Sequence, residues 1–221
     1  MKKIHLYFMP GLGANPKIFE HISLPKDKFE IHLLEWKIPI SEVESIQDYA
    51  KRMTYEIKHQ NPVLLGVSFG GVLVQEIAKI IDVKKIILVS SIKSHYEFPN
   101  RLKLLQKTKA YKFFPTKIIE NFDKYKKYFL GDFLKKRADL YTLYLSVNDA
   151  VYLKWAIYSL LHWKQDIIPE NILHIHGNHD HVFPSKHIHN FTEIKNGSHV
   201  MILLKAKEIS EIIISDFNKF H

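Results

Sequence analysis

Short apolar runs alternate with helical segments through the first 89 residues of the chain. The runs cover residues 4–9, 29–36, 62–67 and 84–89, and the intervening helical segments include residues 41–59 and 69–81. The runs are mostly continuous in their apolar character, which is typical of strands that are buried on both faces of a sheet. Strands that alternate with helices in this way predict a parallel sheet covered by helices on both faces.

The alternation breaks between residues 92 and 165, a segment rich in Lys, Tyr, Phe and Leu without a strand pattern. Amphipathic spacing predicts helices over residues 102–113, 115–128 and 149–163. Two further strands are predicted at residues 171–176 and 191–195, and a closing helix at 206–220. The sequence therefore predicts an α/β core of residues 1–91 and 166–221, with a mostly parallel sheet of about six strands. A helical insertion of residues 92–165 interrupts this core.

The segment Gly-Val-Ser-Phe-Gly-Gly at residues 66–71 matches the pattern G-x-S-x-G. It lies between an apolar run and a helical segment, the context that a nucleophile elbow requires. The tight turn strains the backbone of Ser68, and the glycines on either side give it room. The N-terminus of the following helix offers N–H groups and a favourable dipole to a developing oxyanion. The alternative is a structural glycine turn that holds a serine by chance.

A serine hydroxyl is a weak nucleophile and needs a base that is oriented by an acid. Asp180 falls on the loop after the predicted strand 171–176, and His199 falls on the loop after the strand 191–195. Functional groups of open α/β sheets collect at these carboxyl ends of strands. Asp149 and Asp166 are rival acids, but neither follows a clear strand.

With these motifs, the sequence resembles the α/β-hydrolase superfamily, specifically small carboxylesterase-like members with a helical lid. The matching segments are PGLG at 10–13, GVSFGG at 66–71, HGNHDHVFP at 176–184 and NGSHV at 196–200, so that the resemblance spans nearly the whole chain. The chain departs from the family where Pro10 replaces a frequent histidine, and where the early strands of the sheet are missing.

The resemblance implies an α/β-hydrolase fold with Ser68 as nucleophile, His199 as general base and Asp180 as its orienting acid. The backbone N–H groups of Leu12 and Phe69 would form the oxyanion hole. These roles predict a serine hydrolase that cleaves a carboxylic ester or thioester through an acyl-enzyme, without a cofactor or a metal ion. The alternative is a non-catalytic protein of the same fold that binds a small acyl or anionic ligand, although such proteins usually lose part of the triad.

The whole formal net charge of +9 comes from the helical insertion of residues 92–165, which is the predicted lid. Residues 93–137 contain thirteen Lys or Arg and four Asp or Glu, whereas the rest of the chain has nineteen of each. Only two of the thirteen cations are arginine, which nucleic-acid recognition favours, and no nucleic-acid motif is present. We therefore expect no nucleic-acid partner, and interpret the basic lid as attracting an anionic substrate or an acidic carrier protein that holds the acyl group.

Six histidines lie within residues 174–189 and raise the question of a metal site. The string HIHGNHDH resembles the HxHxDH motif of metallo-hydrolases but fails in register, because position 178 is Asn. We interpret His21, His32, His95 and His162 as structural or surface residues. The aromatic residues between 141 and 163 have helical spacing and are expected to pack lid helices on the core. Without cysteines, a signal peptide or an apolar run long enough for a membrane span, we expect a cytoplasmic protein.

Overall fold

A computed structural model of the chain describes residues 3–113, 143–145, 147 and 149–219. The described residues contain a six-stranded sheet in the order β2-β1-β3-β4-β5-β6, in which every neighbouring pair is parallel. The strands are β1 (Ile4–Met9), β2 (Phe29–Leu33), β3 (Val63–Val67), β4 (Lys85–Val89), β5 (Ile172–Gly177) and β6 (Thr192–Ile194). The predicted number of strands and their parallel arrangement are confirmed.

Each face of the sheet contributes to its own apolar core, because successive side chains of a strand point to opposite faces. On β1, Leu6 and Phe8 belong to one core, whereas Tyr7 and Met9 belong to the other. Strand β3 is buried along its whole length for the same reason. The continuous apolar runs of the sequence therefore result from two-sided burial.

Helices cover both faces of the sheet. The α-helices are α1 (Ile46–Thr54), α2 (Phe69–Ala78), α3 (Asn100–Thr108), α4 (Ala150–His162), α5 (Met201–Leu204) and α6 (Ala206–Asn218), and the 3-10 helices are Pro16–Phe19, His95–Glu97, Ala110–Phe113 and Ser185–His187. Buried side chains of α1, α2 and α4 share one core, and those of α5 and α6 share the other. In the described part of the chain, none of these helices has the length and apolar character that crossing a membrane requires.

The bounds of helices α1 and α3 differ from those that the sequence pattern predicts. Helix α1 begins at Ile46, not at residue 41, because the side chain of Ser45 accepts the backbone N–H of Asp48 at 3.0 Å and caps the helix. Helix α3 ends at Thr108 because Lys109 adopts a left-handed conformation with φ of 57°. The apolar pattern continues beyond both helices, but local capping determines where they begin and end.

The chain leaves the sheet after β4 and returns to it at β5, and α3 and α4 lie in the segment between these strands. Helix α4 packs against α2 and buries Tyr152 and Trp155 completely. This agrees with the prediction that these aromatic residues pack on the core, whereas Tyr158 of the same helix is exposed. The predicted helix 115–128 lies outside the described residues, and the division into core and lid stays a prediction.

Candidate active site

Ser68 lies in the turn between β3 and α2, with the strained backbone angles φ 52° and ψ −120°. Two glycines make this turn possible. A Cβ atom on Gly66 would lie 2.4 Å from the carbonyl oxygen of Gly70, and one on Gly70 would lie 2.3 Å from that of Pro10. The strand, the helix and the loop after β1 therefore meet too closely for any side chain, and Ser68 is held at the carboxyl end of the sheet.

A third glycine brings the end of β4 against the same turn. A Cβ atom on Gly71 would lie 2.3 Å from Oγ of Ser91. The hydroxyl of Ser91 donates a hydrogen bond of 2.7 Å to the carbonyl oxygen of Ser68. Ser91 thus supports the backbone of the turn, a common role for a serine at the end of a strand.

His199 joins Ser68 to Asp180. Its Nε2 lies 3.0 Å from Oγ of Ser68, and its Nδ1 lies 2.8 Å from Oδ2 of Asp180. The carboxylate can only accept from Nδ1, so that Nε2 is left to accept the serine proton. The three side chains come from loops after β3, β5 and β6. This is the spatial arrangement in which an imidazole can act as general base for a hydroxyl.

Asp180 is almost completely buried and is held by four polar groups around it. Its Oδ1 accepts the backbone N–H groups of Val182 at 2.7 Å and Phe183 at 2.9 Å. Its Oδ2 accepts from His199 and lies 3.6 Å from Nε2 of His176. Burial by itself raises the pKa of Asp180, but attraction to His199 and the hydrogen bonds outweigh it, so that the pKa lies below its ordinary value. The group is therefore a carboxylate at neutral pH and keeps the His199 ring in position.

The two predicted oxyanion donors belong to the first residue of α2 and to the loop after β1, which both adjoin Ser68. Phe69 is the first residue of α2, so its N–H has no partner inside the helix. Leu12 follows Gly11, where a Cβ atom would lie 3.5 Å from Cβ of Ser68. The carbonyl oxygen of Gly11 accepts the indole N–H of Trp36 at 2.8 Å, which fixes the loop. The assignment of these two N–H groups stays a prediction.

The described residues line an apolar cavity of about 260 Å³ above Ser68 and His199. Leu12 faces it from the loop after β1, and Tyr144 and Leu160 reach it from the segment between β4 and β5. The remaining lining residues are Gly11, Ala14, Ile18, Val67, Leu145, Val182, Phe183, Val200, Ile202 and Leu203. The nucleophile candidate therefore faces a space that suits a small, largely apolar group.

The rival acids are engaged elsewhere. The carboxylate of Asp149 accepts the backbone N–H of Tyr152 at 2.9 Å and caps α4. Asp166 accepts the hydroxyl of Tyr96 at 3.0 Å on the surface. In the described part of the chain, the only hydrogen-bonded carboxylate partner of His199 is Asp180. The fold thus brings together Ser68, Asp180 and His199, which follow one another along the chain in the predicted order.

Two of the six histidines within residues 174–189 are buried on β5 and form hydrogen bonds to backbone carbonyl oxygens. Nε2 of His174 lies 3.1 Å from the carbonyl oxygen of Ser91, and Nε2 of His176 lies 2.8 Å from that of Phe183. Burial lowers the pKa of both imidazoles, that of His174 to about 3. They are neutral donors that support the loops after β4 and β5. The sequence indicated their alternation along a strand, but it gave no sign of these partners.

Comparison with known proteins identifies the fold. No protein-family model and no curated protein matches the sequence. Among solved structures, a putative non-heme bromoperoxidase from Mycobacterium tuberculosis has a TM-score of 0.72 at 12% identity, covering 100% of this chain and 94% of that one. A structure from work on carboxylesterases of Nitrososphaera gargensis has a TM-score of 0.67 at 17% identity, with coverages of 98% and 90%.

A third solved structure is similar to this chain over nearly the same length. The enol-lactonase from Burkholderia xenovorans has a TM-score of 0.69 at 11% identity and covers 99% of this chain and 92% of its own. All these structures match the chain over almost its entire length. The protein therefore has the α/β-hydrolase fold, as the sequence motifs predicted.

Proposed function

We propose that the protein is a serine hydrolase that cleaves a carboxylic ester or thioester by way of an acyl-enzyme. The observation that carries the proposal is the continuous chain of hydrogen bonds from Asp180 through His199 to Ser68. The strained backbone of Ser68 adds to it, because strain of this kind persists where it positions a functional group. Several structurally similar proteins are described as esterases or lactonases, which supports the same reaction class.

The proposed reaction has two steps. His199 removes the hydroxyl proton as Oγ of Ser68 attacks the substrate carbonyl, and the protonated imidazole then donates that proton to the departing alcohol or thiol. Water activated by His199 attacks the acyl-enzyme, and the acid leaves as the serine regains its proton. The N–H groups of Leu12 and Phe69 hold the oxyanion in both steps. A donor of this kind contributes a factor of about 10²–10³ to kcat.

The size and lining of the cavity limit the substrate. A volume of about 260 Å³ with mainly aliphatic walls favours a short or medium apolar acyl group over a long lipid chain. The thirteen cations of residues 93–137 add a preference for an anionic substrate or an acidic carrier to the proposal. Most of these cations lie outside the described residues, so the proposed preference for anions depends on the charge distribution of the sequence.

Labelling with a fluorophosphonate probe tests the nucleophile. We expect the intact protein to be labelled, Ser68→Ala to lose the label, and Ser41→Ala, a matched change before α1, to keep it. Absence of labelling in the intact protein would overturn the proposal and favour a ligand-binding protein of this fold. A panel of p-nitrophenyl esters and acyl thioesters of graded length then identifies the preferred leaving group and acyl chain.

The contribution of the basic lid is tested separately. Neutralising four or five lysines of residues 93–137 should lower turnover of an anionic ester and leave a neutral ester of equal length unaffected. Equal effects on both esters would contradict the preference for anions without contradicting ester hydrolysis.

A further inference from the structure

Three histidines and a glutamate lie together at the end of the sheet opposite to Ser68. His5 is on β1, His32 and Glu30 are on β2, and His59 is on the loop before β3. The register of β1 and β2 pairs His5 with Glu30 and Tyr7 with His32. Because paired residues of parallel strands point to the same side, the side chains of His5, Glu30 and His32 project from one face of the sheet. The rigid edge of the sheet thus holds these three groups.

Their ligand atoms are close together. Nδ1 of His5 lies 3.1 Å from Nε2 of His32, and one ring nitrogen from each of the three histidines lies within 4.8 Å of the others. One carboxylate oxygen of Glu30 lies 3.7 Å from Nδ1 of His5, and the other lies 3.9 Å from Nε2 of His32. Three potential ligands therefore surround one point, and Glu30 lies beside two of them.

These distances fit a tetrahedral zinc ion. A zinc–nitrogen bond of about 2.0–2.1 Å separates two tetrahedral ligands by roughly 3.3 Å. The spacing of His5 and His32 is already close to this value, and Glu30 needs only a small shift of an exposed side chain. The ring of His59 stacks on that of His5 with an interplanar angle of 7°, so it must turn to direct a nitrogen at the shared point. The same turn affects the contact of 2.7 Å between Nδ1 of His59 and the hydroxyl of Tyr7.

The residue types of the cluster also suit a metal ion. Imidazole nitrogens and a carboxylate are a ligand set that zinc and similar divalent transition metals prefer.

We propose that His5, His32 and His59, with Glu30 as fourth ligand, bind a divalent transition-metal ion, for which zinc is the probe. Four protein ligands leave no open position, so the ion is structural and not catalytic. It would join the edge strand β2 and the loop before β3 to β1. The sequence predicted no metal site, and His32 was expected to be a structural or surface residue. The three histidines are spread over 55 positions and match no short metal-binding motif.

Calorimetric titration of the full-length, chelator-treated protein with zinc chloride tests the site. We expect one equivalent to bind, and the unfolding midpoint to rise by roughly 5–10 °C at a free zinc concentration of about 100 times Kd. His5→Ala and His59→Ala should each weaken binding by a factor of about 100 or more. His21→Ala, which removes an exposed histidine outside the cluster, should bind as the unaltered protein does.

Two further measurements keep the outcome unambiguous. Cobalt(II) in place of zinc should give the intense visible absorption of tetrahedral coordination, and His59→Ala should lose it while its circular dichroism stays that of the unaltered protein. Ser68→Ala should retain full zinc affinity, which separates this site from the candidate triad. Failure to bind one equivalent, or undiminished binding by the double variant of His5→Ala and His59→Ala, would overturn the proposal.

Discussion

The hydroxyl oxygen of Tyr152 accepts a hydrogen bond of 3.2 Å from the backbone N–H of Gly13. Tyr152 is fully buried on α4, and Gly13 has a φ of 72° in the loop after β1. The bond joins two residues that are 139 positions apart. It connects a helix of the segment between β4 and β5 to the loop that carries Leu12, one of the two proposed oxyanion donors.

Tyr152→Phe should therefore impair turnover more than substrate binding. Loss of the hydroxyl leaves a buried N–H without its partner, at a cost of about 1–3 kcal/mol in the free energy of unfolding. A displaced Leu12 should lower kcat by roughly tenfold with little change in KM. Steady-state kinetics and thermal unfolding measure both effects. Tyr158→Phe on the same helix is the control, and equal losses in the two variants would contradict the predicted role.

Asp180→Asn tests which carboxylate orients His199. The amide presents a donor where a carboxylate accepted Nδ1–H, so the ring is held in the wrong tautomer and kcat should fall by about 10⁴. Asp149→Asn and Asp166→Asn should retain kcat within about threefold, because one caps α4 and the other is exposed. The measurement is kcat at a saturating concentration of the preferred ester. A larger loss in either control would assign the orienting acid to that residue.

Gly70→Ala and Gly11→Ala should differ strongly in stability. The new Cβ atom would lie 2.3 Å from the carbonyl oxygen of Pro10 in the first variant, but no closer than 3.5 Å to any atom in the second. A backbone clash at Gly70 cannot be relieved by a side-chain rotation and should cost about 3 kcal/mol or more. Gly11→Ala should stay within about 1 kcal/mol of the unaltered protein. Urea unfolding measures both, and similar midpoints would show that the turn can adjust.

His174 should make the protein less stable as the pH falls from about 6.5. Its pKa is about 3 in the folded state because of burial, whereas the ordinary pKa of a histidine side chain is 6.5. Between these values the unfolded chain binds a proton that the folded chain does not, so stability falls by up to about 1.4 kcal/mol per pH unit from this group. His174→Gln retains a donor for Ser91 but does not titrate. Its unfolding free energy should depend less steeply on pH between 6.5 and 4, and an unchanged slope would contradict the prediction.

Much of the fold and of the candidate site follows from local sequence. The continuous apolar runs predicted the six parallel strands, because two-sided burial imposes that composition on a strand. The pattern around Ser68 predicted the turn, since glycine is required where a Cβ atom would lie 2.4 Å from a carbonyl oxygen. Asp180 and His199 were predicted from their positions after two strands, at the edge where carboxyl ends of parallel strands meet.

The sequence by itself determined the order of strands and helices and the position of Ser68. It also determined that Asp180 and His199 are the two residues that form a chain of hydrogen bonds with Ser68. These features depend on periodicity and on chain order, which a linear pattern records. Only the tertiary structure decided that Tyr152 supports Gly13, that His174 and His176 hold the strand-end loops, and that His5, His32 and His59 come together. Each of these relationships depends on how elements pack and in which register strands pair. Residues far apart in sequence leave no shared local pattern, so packing alone brings such groups within bonding distance.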